Sequence, residues 1–263
     1  LYVQYLKWAW SMIRADYGMS LEYRVPVSHI LGERLLMTIV LTAVTVVFTW
    51  LLAIPIGIYS AVRQHSIGDY TFTFLGFIGL ATPDFLLALV LLYLAFQYFD
   101  TSIGGLFSPD YLETSWSMGR IVDMSAHLWL PAIVLGTSGT AALIRIMRAN
   151  LLDELYRPYV VTARAKGKRE WALIFKYPVR VALNPFVSTI GYVLPYLVSG
   201  SIIVSVVLSL PTVGPLLLRS LLTQDMFLAG TIVLSLGVLT VVGTLLSDIL
   251  LVILDPRIRM EKI

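Results

Sequence analysis

The sequence predicts an all-α polytopic membrane protein, and three observations carry that expectation. Of the 263 residues, 58% are apolar and only 13% charged. Soluble domains carry about 25% charged residues, and a soluble chain this apolar would lack the polar surface to cover itself. Secondly, the charges are collected between long apolar runs. Residues 35–62 (28 positions) and 181–218 (38 positions) contain no Asp, Glu, Lys or Arg, whereas about 20 helical residues cross a bilayer core. Thirdly, the basic residues concentrate on one side of those runs, as they do in cytoplasmic loops of membrane proteins.

Taken in order, residues 1–34 mix aromatic side chains (Tyr2, Tyr5, Trp8, Trp10) with charged ones (Lys7, Arg14, Asp16, Glu22). Trp and Tyr favour the membrane–water boundary, so this stretch reads as an outer-side interfacial segment. The membrane domain is expected over 35–263, and its first span over 35–62, with Pro55 and Gly57 marking a kink near its end. A polar turn around Arg63–Asp69 leads to a second span at 72–98, which holds Pro83 and the intramembrane carboxylate Asp84. A charged side chain costs about 2.5–3.5 kcal/mol at mid-bilayer on insertion scales. Asp84 should therefore face a partner or a wet cavity, as part of a translocation path or as a packed helix-breaking pair.

Residues 99–126 read as an outer loop. The third span, 127–147, is rich in Gly and Ala, which permit close helix approach. A charged loop follows at 149–180. The 38-residue apolar run is too long for one crossing, and Pro211, Gly214 and Pro215 divide it. It becomes a fourth span at 184–208 and an outer re-entrant or surface segment at 209–226. The fifth span is expected at 227–254, with Asp248 near its end as a structural carboxylate that pairs with a loop Arg or caps a helix. No repeat of fixed period is visible.

Thirteen of the 19 Lys and Arg fall on the side holding Arg63, the loop and the C-terminal tail. That bias puts the loop and the C-terminus in the cytoplasm. Five spans then leave residues 1–34 outside, and a further span upstream of Leu1 would resolve how they get there. The net charge of +3 follows from this topology and implies no nucleic-acid partner. The chain has no Cys, which excludes disulfide and Cys-metal sites. His29, His65 and His127 stand apart, without metal-ligand spacing. There is no G-x-x-x-x-G-K-[S/T], no H-E-x-x-H and no nucleophile elbow. No catalytic constellation is present, this chain cradles no nucleotide phosphates itself, and no cofactor is expected on it.

The loop is the sharpest feature. Residues 156–180 hold seven of the 19 Lys and Arg. Pro158 suits the first turn of a helix, and Gly167 suits the position after its end, with positive φ. Tyr159, Val160 and Ala163 would share one face, and Arg164 would neighbour Lys168. A second helix is expected over 170–177. On charge alone this is an ordinary basic loop.

Its residues nevertheless match a family pattern. The string Tyr159-Val160-Val161-Thr162-Ala163-Arg164-Ala165-Lys166-Gly167 resembles the Y-V-x-T-A-R-A-K-G cytoplasmic loop of ABC-importer permeases of the oligopeptide/dipeptide type. Gly18-Met19-Ser20, Pro26-Val27, Arg34 to Thr38, Pro83 with Phe85, Asn184-Pro185, Pro211 to Gly214 and Asp255-Pro256-Arg257-Ile258-Arg259 are similar to further landmarks in the same order. The resemblance implies the type I ABC importer transmembrane fold, five spans here and one more upstream. It implies a bacterial or archaeal inner (cell) membrane location and alternating access driven by two ATP-binding subunits. It also implies a second, homologous and different permease chain, and an extracytoplasmic solute-binding protein.

Pro158, Tyr159, Thr162, Ala163, Arg164, Ala165, Lys166, Gly167 and Lys168 would form the ATPase-coupling element, with Ala163 giving close contact. Asp84 is the candidate on the translocation path. Of the broad permease pattern Glu-Ala-Ala-x-x-x-Gly, only Ala163 and Gly167 match. Tyr177 stands where the branch commonly has His, and Ser205 where it has an acidic residue. Oligosaccharides, nickel and other small solutes therefore stay open beside peptides. An independent secondary transporter or a membrane enzyme would need matched inverted repeats or a catalytic constellation.

Overall fold

A computed structural model describes residues 2–99, 104–112 and 114–254. Helix α1 (Tyr2–Ile13) precedes the long α2 (Val27–Val62). Helices α3 (Ile67–Ala81) and α4 (Asp84–Phe99) follow, then a short 3₁₀ turn at Pro109–Tyr111. The second long helix, α5 (Met118–Leu155), leads into the short α6 (Pro158–Ala165), α7 (Glu170–Lys176) and α8 (Pro178–Ala182). Helices α9 (Asn184–Gly200), α10 (Ile202–Val207), α11 (Val213–Leu222) and α12 (Met226–Leu254) complete the described chain.

Among the described residues, α2, α5 and α12 are long and apolar enough to cross a membrane, and the α3–α4 pair makes a fourth if it is one span. α2 runs unbroken through Pro55 and begins at Val27, well before the expected start at residue 35. α5 likewise extends the expected 127–147 to 38 residues. The expected second span, 72–98, is instead a pair of helices bent by 100°. Pro83 explains the break. It has no N–H to continue the ladder, and its ring disfavours the helical conformation at the residue before it; here Thr82 is extended (φ −82°, ψ 122°). The expected 184–208 span is likewise divided at Ser201 into α9 and α10.

Small residues set how closely the helices pack. A Cβ built on Gly57 of α2 would lie 2.5 Å from Cβ of Met147 on α5, and one on Gly191 of α9 would lie 3.2 Å from Cα of Thr244 on α12. Backbones thus approach where side chains are absent, the usual device for joining helices in a solvent as apolar as the side chains themselves.

Both ends of the bundle are closed by polar contacts. At one end Ser20 Oγ donates to Asp225 Oδ2 at 2.5 Å. Arg219 pairs with Glu22 at 2.7 Å, and Arg120 with Glu33 at 2.6 Å. The Gly105 amide donates to the Leu208 carbonyl at 2.7 Å. The three segments that charge counting assigns to one side, 1–34, 99–126 and 209–226, therefore meet. The charged loop sits at the other end, where Val160, Ala163, Leu173 and Ile174 share a core with Ala61, Met147 and Leu151. Asp248 is exposed and has no ion-pair partner among the described residues. The loop cation Arg180 instead ties the hinge to the last described turn of α12, donating to the carbonyls of Leu254 (2.7 Å) and Ile253 (3.2 Å). The expected landmark Asp255–Arg259 lies outside the described residues.

The candidate coupling hinge and the membrane cavity

The charged loop folds as a compact hinge. Pro158 occupies the first turn of α6. Gly167 ends the turn with φ +74° and nothing within 4 Å of a Cβ placed on it. Gly167→Ala should therefore cost only conformational strain, about 1–2 kcal/mol. The expected result is faster amide exchange at 166–169 with unchanged packing of α6; unchanged exchange would contradict the assigned role of the glycine.

Two polar contacts close the turn. Arg164 grips Glu170 through Nη2 (2.5 Å) and Nε (3.1 Å), and Lys168 Nζ donates to the Tyr177 hydroxyl at 2.6 Å. The guanidinium holds the Glu170 carboxyl below its ordinary range, and the Lys168 ammonium lowers the Tyr177 hydroxyl. Arg164 and Lys168 are thus not helical neighbours as expected. α6 ends at Ala165, and each cation turns to a partner on or next to α7. The Tyr159 hydroxyl donates to Glu154, fastening α6 to the end of α5.

The burial pattern shows which face of α6 this chain covers. Ala163 is only 8% exposed and Val160 fully buried, so the face they share with Tyr159 packs on this chain's own helices. Ala163 thus presents little surface of its own beyond this chain. The outward face carries Thr162, Ala165 and Val161, the last 52% exposed. Pro158, Arg164, Lys166, Gly167 and Lys168 are exposed around it. Beside it α7 presents Trp171 and Phe175, 60% and 56% exposed and stacked at 6.1 Å between centroids. These rings went unremarked in the sequence. Their signal was available: two aromatic residues four apart in a segment otherwise rich in cations.

Asp84 opens α4 and is half-buried, with Ser138 Oγ 3.5 Å from its Oδ2. Ser138 in turn lines a cavity of about 280 Å³ between α2, α3, α5 and α9, together with Thr45, Thr49, Trp50, Gly139 and Thr189. Asp84 thus borders this cavity through one hydroxyl and does not line it. The lining is apolar with hydroxyl groups and carries no charged side chain. Among the described residues no group of three His, Asp or Glu could hold a metal. His127 Nδ1 lies 2.8 Å from the Asp123 carbonyl in its own helix.

Arg120 was also missed as a structural centre. It lies between the rings of Phe107 and Trp116, 4.6 Å from each centroid, and donates to Glu33 (2.6 Å) and the Thr114 carbonyl (2.7 Å). Arg120→Ala should destabilise by about 3 kcal/mol, through a broken charge pair and lost cation–π contacts. Accelerated proteolysis of residues 104–117 would check it, and an unchanged cleavage pattern would contradict it.

Comparison with known proteins places these elements in a wider group. Residues 53–260 match the family described as the binding-protein-dependent transport system inner membrane component. Across 98% of its length the chain is 38% identical to the oligopeptide transport system permease protein AppB of Bacillus subtilis (strain 168), covering 80% of that protein. It is 31% identical over its whole length to the dipeptide transport system permease protein DppB of Escherichia coli (strain K12), covering 82% of it. Identity to the oligopeptide transport system permease protein OppB of Mycobacterium bovis is 30%, over 98% of this chain and 80% of that one.

Proposed function

We propose a peptide-translocating role for this chain, which belongs to the family of binding-protein-dependent transport system inner membrane components. It is a multi-pass membrane permease subunit of an importer and not an enzyme. Its substrate class is di- and oligopeptides, as named for its relatives. An uncharged cavity lined by hydroxyl and apolar groups supports that choice. Peptides share a backbone and differ in charge, so a path that accepts many of them gains from hydrogen-bonding hydroxyls and loses from fixed charges. Asp84, reached through Ser138, is assigned to the edge of this path. Oligosaccharides are the second reading, because the same hydroxyls suit them.

The observation that carries the mechanism is the outward face of the hinge. Val161, Trp171 and Phe175 expose apolar surface in a segment whose exposed residues also include Arg164, Lys166, Lys168, Arg169 and Lys176. That is the composition of a protein-docking patch, an aromatic centre with a charged rim. We assign it to one of two ATP-binding subunits, which bind and hydrolyse ATP-Mg; this chain supplies no nucleotide site. Closure of those subunits moves the hinge. The buried contacts of Val160 and Ala163 and the Tyr159–Glu154 bond make α6 move with α5 as one body. A second, homologous but different permease chain and an extracytoplasmic binding protein complete the assembly. The hinge and the C-terminus then lie in the cytoplasm, in keeping with the thirteen-to-six division of Lys and Arg.

The test is uptake of a labelled dipeptide by vesicles holding the complete complex, with and without ATP. ATP-dependent uptake supports the assignment, and gradient-driven uptake without ATPase subunits overturns it in favour of a secondary transporter. In the same vesicles, Trp171→Ala with Phe175→Ala should weaken ATPase-subunit binding about 30-fold, at roughly 1 kcal/mol per truncated interface ring, while the permease pair stays assembled. Unchanged subunit affinity would contradict the docking role of α7.

A further inference from the structure

Between α3 and α5, at the hinge end of the bundle, lies a second cavity of about 370 Å³. It is a groove. On α5 it is lined at i, i+3, i+4 and i+7 by Ala141, Ile144, Arg145 and Arg148, and on α3 by residues recurring from Asp69 to Leu80. The two ends differ in chemistry. One end gathers Arg145, Arg148, His65 and Tyr70. Asp69 is already taken: Arg148 holds it through Nε at 2.9 Å and Nη2 at 3.0 Å. Arg145 is exposed and has no ion-pair partner among the described residues, so the end keeps one uncompensated cation. The other end is apolar, walled by Phe77 and Leu80, and Gly76 faces Ala141 across its floor, 3.8 Å from the position its own Cβ would take. On α3 only Asp69 is buried, and Phe74, Leu75 and Ile78 are exposed beside the groove, so it opens onto a surface suited to lipid.

We infer that this groove is a binding site for one anionic phospholipid. The headgroup phosphate sits at Arg145, with Tyr70 and the free N–H groups of Arg148 as further donors, and an acyl chain lies along Gly76 and Ala141. Basic pockets between membrane helices at the cytoplasmic side favour such headgroups, and guanidinium is the side chain best suited to phosphate oxygens. A zwitterionic lipid also brings a phosphate, but its own headgroup cation offsets the attraction to Arg145, so a net anionic headgroup is favoured. Free inorganic phosphate would leave the apolar half unused. The site lies between the two helices whose Asp69–Arg148 contact adjoins the hinge core, so its occupancy would bear on how firmly α3 follows α5. The inference does not depend on which solute is carried.

The experiment is native mass spectrometry of the complete complex, delipidated and then titrated separately with phosphatidylglycerol, phosphatidylcholine and inorganic phosphate. The expected result is one retained phosphatidylglycerol per copy of this chain. Arg145→Ala should weaken retention about fivefold, the factor for one cation near an anionic headgroup, and Arg145→Lys should restore most of it. Gly76→Leu, which fills the acyl half, should reduce phosphatidylglycerol retention while Arg145 remains. Equal retention of phosphatidylcholine would overturn the proposal. So would displacement of the lipid by equimolar phosphate, which would mark a free-anion site. Retention unchanged in both Arg145→Ala and Gly76→Leu, or crosslinking of Phe77 to the second permease in the intact complex, would also overturn it.

Discussion

Asp225→Ala should lower the stability of the folded chain by about 3–5 kcal/mol, the loss expected when one buried acceptor leaves several donors unpaired. The residue is 0% exposed. Its carboxylate accepts from the Ser20 hydroxyl at 2.5 Å, the Leu228 amide at 3.1 Å and the Glu22 amide at 3.2 Å. One group thus caps the start of α12 and fastens residues 20–22 to it. At roughly 2–4 °C per kcal/mol for a chain of this size, the midpoint of thermal unfolding should fall by about 10 °C. A fall of under 3 °C would refute this role. The pH dependence has a definite sign. Burial alone would raise the Asp225 carboxyl, but the hydroxyl of Ser20 and the amides of Leu228, Glu22 and Leu21 outweigh it and hold it below its ordinary 3.8. A lowered folded-state value means that the stabilisation is fully present above the ordinary carboxylate range. It is lost as pH falls through and below that range. In Asp225→Ala that acid-dependent loss should be smaller.

Gly57→Ala is the second large effect, and it acts through sterics. The new Cβ would stand 2.5 Å from Met147 Cβ, 2.7 Å from its Cγ and 3.2 Å from the Ile144 carbonyl oxygen. No rotamer of Met147 removes the Cβ contact, so α2 and α5 must separate. Overpacking of this kind costs about 1–3 kcal/mol or more, and here it falls on the most extensive helix interface of the bundle. The yield of monodisperse complex should drop sharply. Met147→Ala should not rescue it, because alanine keeps the offending Cβ, whereas Met147→Gly should restore part of the yield. Rescue by Met147→Ala would show that the contact is not the one described.

Much of the candidate site was legible because its signals are local. Pro158 and Gly167 punctuate α6 through backbone constraints that act within a turn, and the observed helix ends where they placed it. The helical face shared by Tyr159, Val160 and Ala163 also followed from spacing. Which way that face points did not. Periodicity groups residues on a face but leaves open whether the covering partner is another subunit or the same chain, and Leu151, Leu173 and Ile174 of this chain cover it. The pairing of Arg164 with Glu170 and of Lys168 with Tyr177 likewise depends on how α7 returns after the turn.

By itself the sequence determined that the chain is helical and membrane-spanning, where its polar segments fall, which of them share a side, and the family to which the hinge string belongs. These follow from composition, from charge-free run length and from residues close in the chain. Only the tertiary structure decided that Thr82–Pro83 bends the second apolar run by 100°. It alone brought Ser20 to Asp225, 205 positions away, and set Asp84 at the border of the cavity instead of in its wall. It also turned Ala163 inward and Trp171 outward. The reason is physical. In lipid, apolar side chains gain little by choosing one helix over another, so which face packs is settled by close fit at glycines and by a few buried polar pairs, whose partners lie far apart along the chain.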